Sequence, residues 1–166
     1  MNKKYGKISL ILLVVLATVL VSGCIGGGTD ETKFTKTVNV EGVTFYLPET
    51  FSNEEKTSTG KNIQYSFSDG SSTIMIFNYP GASKELILSQ LKDTGEVSDI
   101  REDVTYAGVS GHTMITAQTN LFLFEKNGKT FIIEMSSDIN FEEYIPKILG
   151  NWSNFIREVF DYFSTN

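Results

Sequence analysis

The sequence predicts a single α+β domain, in which a mainly antiparallel sheet of about six to eight strands is flanked by two helices. Short segments rich in β-branched and aromatic residues alternate with Gly-containing turns from residue 37 onward, as in strands joined by hairpins. Apolar residues have helical spacing in only two segments. Neither a repeat nor a second linker interrupts residues 37–163, so we expect one domain there.

Two short strands are predicted at the start of this domain. They cover residues 37–40 and 43–47, and the turn Glu41-Gly42 joins them. Pro48 ends the second strand because proline cannot donate a hydrogen bond to a sheet. Residues 50–60 are polar and show no strand pattern, so we predict a loop with at most a helical turn.

A hairpin and a helix follow. Residues 62–68 alternate apolar and polar side chains, as in a strand buried on one face. The turn Asp69-Gly70 leads to a strand at residues 73–79, whose apolar centre predicts burial on both faces. Ser83 is the predicted N-cap of a helix that ends at Gly95.

The next segment is predicted to form strands only. These strands cover residues 101–106, 111–118, 121–126 and 129–135. Asn127-Gly128, between the last two, is a strong hairpin signal. The last two strands contain consecutive apolar residues, which implies burial on both faces, and helices are the available cover.

The C-terminal segment has apolar residues at helical spacing over about six turns from residue 141 to residue 163. Asn140 and Glu143 have the spacing of a capping pair. Pro146 and Gly150 are costly inside a helix, so we expect either a kink or a start delayed to Pro146. We expect this stripe to pack on the core; a partner-binding or membrane-lying face is the alternative.

The N-terminus has the form of a signal peptide. An apolar run at residues 8–21 follows three lysines and is shorter than the roughly 20 residues that a membrane-spanning helix needs. It ends in Val21-Ser22-Gly23-Cys24, which resembles the lipobox of prokaryotic lipoproteins. The resemblance implies that residues 1–23 are removed and that the Cys24 thiol carries lipid. A flexible linker would then cover residues 24–36.

These features predict a location on the outer face of the cytoplasmic membrane, with the lipid on Cys24 as the membrane contact. An uncleaved N-terminal anchor with an incidental cysteine is the alternative. It also places the domain outside the cytoplasm.

Charge and composition exclude several classes of function. The chain has 14 basic and 20 acidic residues, and removal of residues 1–23 leaves 11 basic and 20 acidic residues, a net charge of −9. Such a domain should be repelled by nucleic acid, so no nucleic-acid partner is expected. A single Cys excludes an internal disulfide, and a single His makes a zinc site implausible. We expect no metal and no cofactor.

Candidate catalytic groups are few. His112 and Ser110 share a strand face, yet the glycines around them are explained by a hairpin turn, and we expect a structural histidine. The acidic pairs Glu102-Asp103 and Glu142-Glu143 lack the geometry of a carboxylate pair, and with Asp99 they match no calcium-loop spacing. Asn151-Trp152-Ser153 is a glycosylation triplet whose occupancy is doubtful because Trp152 belongs to the apolar stripe. No catalytic residue is therefore assigned.

The order of elements resembles PsbP-like domains, including DcrB-like cell-envelope lipoproteins. The strand at 43–47 running into Pro48, the helix after Ser83, the segment Tyr106-Ala107-Gly108 and the hairpin at Asn127-Gly128 carry the resemblance. It covers roughly residues 38–156. It implies an antiparallel sheet flanked by helices and a binding or assembly role, with no catalytic residues to transfer.

The sequence therefore predicts a non-enzymatic, lipid-anchored domain for protein interaction or envelope assembly, with a protein partner. A carrier that encloses an apolar ligand in an internal cavity is the alternative. A hydrolase based on scattered carboxylates is a further alternative, which would require two converging acids in a cleft.

Overall fold

A seven-stranded antiparallel sheet is the centre of the structure, a computed structural model that describes residues 32–150. The strands are β1 Lys36–Val40, β2 Val43–Leu47, β3 Asn53–Thr59, β4 Asn62–Ser68, β5 Thr73–Tyr79, β6 Ser98–Tyr106, β7 Val109–Ile115, β8 Thr119–Lys126 and β9 Lys129–Ser136. The helices are α1 Lys84–Thr94 and α2 Phe141–Ile148. The predicted α+β class, mainly antiparallel sheet with two helices, is confirmed for these residues.

The sheet joins two sequence-local groups of strands. Its order is β3-β4-β5-β9-β8-β7-β6, and β1 and β2 form a separate two-stranded sheet. Within each group, strands that pair in the sheet also follow each other in the chain. The pair β5–β9 joins the two groups, and its strands are distant in sequence. At that seam Ile76 lies opposite Ile133, and Ile74 lies opposite Met135. Apolar cross-strand pairs therefore hold the two groups together.

The central strands β5, β9 and β8 of the seven-stranded sheet are covered on both faces, as their consecutive apolar residues predict. One face, called the α2 face, packs against the β1–β2 hairpin and helix α2, with Phe45 lying 5.6 Å from the Phe131 ring. The opposite α1 face packs against Ile87 and Leu91 of helix α1. Burial on both faces removes the apolar strand residues from water and stabilises the fold at about 25 cal/mol per Å² of apolar area.

The prediction of a loop at residues 50–60 is wrong. Residues Asn53–Thr59 form strand β3, which is exposed along its whole length and pairs with β4 from Asn53 opposite Ser68 to Thr59 opposite Asn62. An edge strand with both faces in solvent needs no apolar period, so the periodicity that identifies half-buried strands does not detect it. With β3 the described part of the chain has nine strands, one more than the upper end of the predicted six to eight.

Helix α2 begins at Phe141, so its start is not delayed to Pro146, which lies inside the helix. The helix ends at Ile148, and Gly150 has φ +81°, a left-handed conformation that glycine adopts without strain. A single helix across Gly150 is therefore not formed. The amide of Asn140 donates to the Glu143 carboxylate at 3.2 Å and does not cap the helix backbone. The predicted stripe beyond residue 150 lies outside the described residues.

Neither helix in the described part of the chain is long and apolar enough to cross a membrane.

Helix α1 has the caps that its sequence predicts. The Ser83 hydroxyl accepts a hydrogen bond from the Leu86 N–H at 3.2 Å, and Gly95 closes the other end with φ +70°. Because the serine oxygen satisfies a free backbone donor, Ser83→Ala should lower the free energy of unfolding by about 1 kcal/mol. Urea unfolding measures this loss. Ser58→Ala, at an exposed position of β3, is the control, and an equal loss in both variants would contradict the capping role.

Candidate functional site

Two positions that the sequence singled out cannot be placed. The predicted lipid attachment residue Cys24 and the glycosylation triplet at Asn151 both lie outside the described residues. Their roles stay predictions.

His112 and Ser110 do not form a catalytic pair. His112 lies on the α1 face of β7, opposite Leu123, with 6 % of its surface exposed. Burial is the main cause that lowers its pKa, and its Nδ1 has no hydrogen-bond partner among the described residues. The exposed Ser110 hydroxyl lies 3.0 Å from the Thr105 hydroxyl instead. His112 is thus a buried residue on the α1 face of β7 and is not part of a catalytic pair.

The acidic pairs Glu102-Asp103 and Glu142-Glu143 do not form a shared carboxylate site, because their side chains contact different partners. Glu102 accepts a hydrogen bond from Lys92 of helix α1 at 2.9 Å. Glu143 accepts from Lys147 at 2.7 Å, along its own helix. In the described residues no group of three His, Cys, Asp or Glu side chains is arranged to hold a metal ion.

The structure brings together a different set of residues. An open groove of about 260 Å³ lies on the α2 face, between strands β6, β7 and β8 and the first turn of helix α2. We call it the edge groove. Its charged residues are Asp99, Arg101 and Glu142, and its neutral hydrogen-bonding residues are Thr113, Asn120 and Asn140.

Two β-bulges place Arg101 in this groove. Val104 pairs with Gly111, but Arg101 pairs with Thr113, so β6 has one extra residue between these two pairs. A second shift lies between Ser98 and Arg101. Each bulge inserts one residue and reverses the faces of the strand beyond it. The bulge between Val104 and Arg101 therefore places Arg101 on the α2 face, which is also the face of Val104, whereas Glu102 contacts Lys92.

The acidic residues Asp99 and Asp103 occupy these two irregular segments with φ values of +45° and +60°. Left-handed conformations are uncommon for residues other than glycine, and Asp is among those that tolerate them best. The bulged backbone also interrupts the regular row of hydrogen-bonding groups at this sheet edge, which discourages pairing with another strand.

Arg101 is held loosely between two acids. Its guanidinium lies 3.5 Å from Asp99 and 3.7 Å from Glu142, and all three side chains are more than half exposed. These distances exceed a normal N–H···O hydrogen bond, so the contacts are ion pairs of low energy in water. The guanidinium donors therefore remain free to bind another group.

Glu142 connects helix α2 to the edge strand. The Tyr106 hydroxyl donates to its carboxylate at 2.6 Å. Burial, together with this hydrogen bond, raises the pKa of Tyr106, so the phenol stays protonated and continues to donate. The Tyr106 ring also packs edge-on against Phe122 at 5.2 Å. This arrangement fixes one wall of the edge groove.

The floor of the groove is apolar. Ile139 and Phe141 are nearly buried, whereas Ile115 is 37 % exposed and is one of the few large apolar side chains with that exposure in the described chain. Thr113 is 7 % exposed, and neither its hydroxyl nor the Asn120 amide forms a side-chain hydrogen bond within residues 32–150. The groove thus combines an apolar floor with free hydrogen-bonding groups, which is typical of small-ligand sites.

A buried acid lies on the other side of the sheet. Glu134 is 2 % exposed and faces helix α1 from β9, between Met75 of β5 and Leu121 of β8. Burial raises its pKa to about 7, against a smaller lowering effect of the Thr119 hydroxyl. Burial, followed by the nearby charge of Glu134, also raises the pKa of Tyr79.

Sequence reasoning missed both features. The signal for Glu134 was present, because it is the only acid in β9 and directly follows three apolar residues. The edge groove had no local signal. Its residues come from three strands and a helix start, and the bulges that orient Arg101 are not encoded by any turn motif in β6.

Comparison with known proteins gives no family. A scan against protein-family models finds no match, and searches of curated proteins and of solved structures find no significant match either. The resemblance to PsbP-like domains stays a prediction from the order of elements.

Proposed function

We propose that this chain is a lipid-anchored, non-enzymatic module on the outer face of the cytoplasmic membrane that serves protein interaction or envelope assembly. The observation that supports the proposed lipid anchor is the segment Val21-Ser22-Gly23-Cys24 at the end of the apolar run. Strand β1 begins at Lys36, twelve residues after Cys24. Lys33 and Phe34 already contact the domain, so a flexible linker of at most about eight residues would follow Cys24; it would span about 15 Å and keep the domain near the bilayer.

The domain itself supports a binding role. The central strands of its main sheet are packed on both faces, so a partner would bind at the surface and not inside the core. Three large apolar side chains, Tyr46, Leu86 and Ile115, are more than one third exposed, on three different elements. The proposed PsbP-like relationship has the same implication. Its support is the strand that ends at Pro48, the helix after Ser83 and the hairpin at Asn127-Gly128.

The anchor is tested by substitution of the only cysteine. With Cys24→Ser, we expect incorporation of labelled lipid precursor to be lost, because no other thiol can accept it. Ser22→Ala keeps a small residue before the cysteine and should retain the label. The mass of the wild-type mature chain should correspond to residues 24–166 plus lipid. A mature chain that retains residues 1–23, or a label that persists in Cys24→Ser, would refute the anchor.

The interaction role is tested by photo-crosslinking of the anchored full chain in its own membrane. A photoreactive residue is placed at Tyr46, Leu86 or Ile115, with exposed Thr57 as the control position. We expect a discrete protein adduct from at least one of the apolar positions and not from Thr57. Equal labelling at all four positions would show that contacts are non-specific and would contradict the proposal.

A further inference from the structure

We propose that the edge groove binds the carboxylate of an apolar amino acid, either free or as the last residue of a peptide. This ligand goes beyond the proposed function, and its binding does not depend on lipid at Cys24. The groove offers a cation with unused donors, two neutral side chains with unused hydrogen-bonding groups and an apolar floor within about 260 Å³.

Arg101 is the group that selects a carboxylate. A guanidinium presents its donors in a planar fork that matches the two oxygens of a carboxylate. In the described structure its acidic neighbours lie at 3.5 Å and 3.7 Å, too far for that pairing. The bulges in β6 turn this side chain into the groove, although an unbroken strand would place Glu102 there.

The acids at the groove restrict the charge of the ligand. Asp99 and Glu142 lie on either side of Arg101, so the groove has a net charge of −1 when all three are ionised. A dianion such as phosphate would be repelled by both acids. A carboxylate carries one charge, and the ammonium group of a free amino acid would pair with the same acids. The charge pattern therefore favours a zwitterion, whose ammonium group offsets the repulsion of its carboxylate, whereas a peptide terminus would depend on the pairing with Arg101 alone.

The floor and the neutral groups complete the complementarity. Ile115 and Phe141 offer apolar surface to a side chain of leucine size. Thr113 and Asn120 have hydrogen-bonding capacity that the described residues do not use. The groove volume is below the roughly 300–1,000 Å³ of pockets for drug-sized molecules, which suits a ligand of amino-acid size.

Saturation-transfer NMR on the full-length chain in detergent tests this proposal, with L-leucine as the first probe. We expect saturable binding of leucine and no binding of leucinamide, which lacks the carboxylate, and inorganic phosphate added as a competitor should not reduce the leucine signal. N-acetyl-leucine distinguishes the two sources of the ligand. Undiminished binding of N-acetyl-leucine assigns the site to a peptide C-terminus, and its loss assigns the site to the free amino acid.

The variant Arg101→Gln should weaken leucine binding by about tenfold or more, because a charged hydrogen-bonding pair is lost. Lys61→Gln removes the same charge at the β3–β4 turn, at the opposite edge of the sheet, and should bind leucine as the wild type does. Equal binding of leucinamide and leucine would overturn the proposal without any variant. Absence of leucine binding up to its solubility, or undiminished binding by Arg101→Gln, would also overturn it.

Discussion

Gly111→Ala is expected to lower the free energy of unfolding by about 3 kcal/mol, the upper end of what overpacking of a rigid core costs. Gly111 lies on β7 between Val104 and Phe124. A methyl group there would overlap the carbonyl oxygen of Leu123 and would lie 2.7 Å from Cε2 of the Phe122 ring. A backbone oxygen inside a sheet cannot move aside without breaking strand pairing, so the cost is large.

The loss should appear in urea unfolding as a lower midpoint with an unchanged slope. Gly128→Ala is the matched control. Gly128 has φ +69° and open space where a methyl group would lie. The free energy of unfolding of that variant should therefore fall by only about 1–2 kcal/mol, the cost of placing alanine in a left-handed conformation. If the two variants lost the same stability, the close packing at Gly111 would be refuted.

The second large effect concerns the pH dependence of stability through Glu134. Its native pKa is about 7, above the unfolded value of 4.5, so the folded state holds the proton more tightly. The stabilisation is fully present below pH 4.5 and is lost as the pH rises through 7. The shift corresponds to about 3 kcal/mol, because one pKa unit is about 1.4 kcal/mol.

Glu134→Gln removes this charge and keeps the shape of the protonated acid. We expect the variant to be more stable than the wild type at pH 8 by up to about 3 kcal/mol, and the difference to vanish near pH 4. Urea unfolding at several pH values measures it. Glu55→Gln, at an exposed position of β3, should show no such trend. A pH-independent difference between Glu134→Gln and the wild type would refute the buried protonated acid.

Gly111 and Glu134 show which structural roles the sequence alone does not predict. Gly111 begins the strand predicted at residues 111–118, directly beside a predicted turn, yet its role is to leave space for the Phe122 ring. Glu134 is visible as a single acid among apolar residues, but its environment depends on β5 and β8. The burial of a residue depends on which other elements pack against it. The sequence of its own strand therefore cannot determine that burial.

The elements themselves were largely predictable. Turns such as Asn127-Gly128 require backbone conformations that few residues adopt, and Ser83 and Gly95 mark the ends of α1 by the same local chemistry. Strand β3 was missed because its stability comes from pairing with β4 and not from its own apolar pattern. Helix α2 ended earlier than its apolar stripe because Gly150 adopts a left-handed conformation.

The sequence by itself determined the α+β class, most of the strands and the first helix, since these depend on local periodicity, turns and caps. It also supplies the segment Val21-Ser22-Gly23-Cys24, whose resemblance to a lipobox is the basis of the proposed anchor. Only the tertiary structure decided the order of the seven strands, the burial of Glu134 and the edge groove around Arg101. Each of these arises from residues that are far apart in the chain. Their contacts are set by how the sheet assembles, which short-range patterns do not encode.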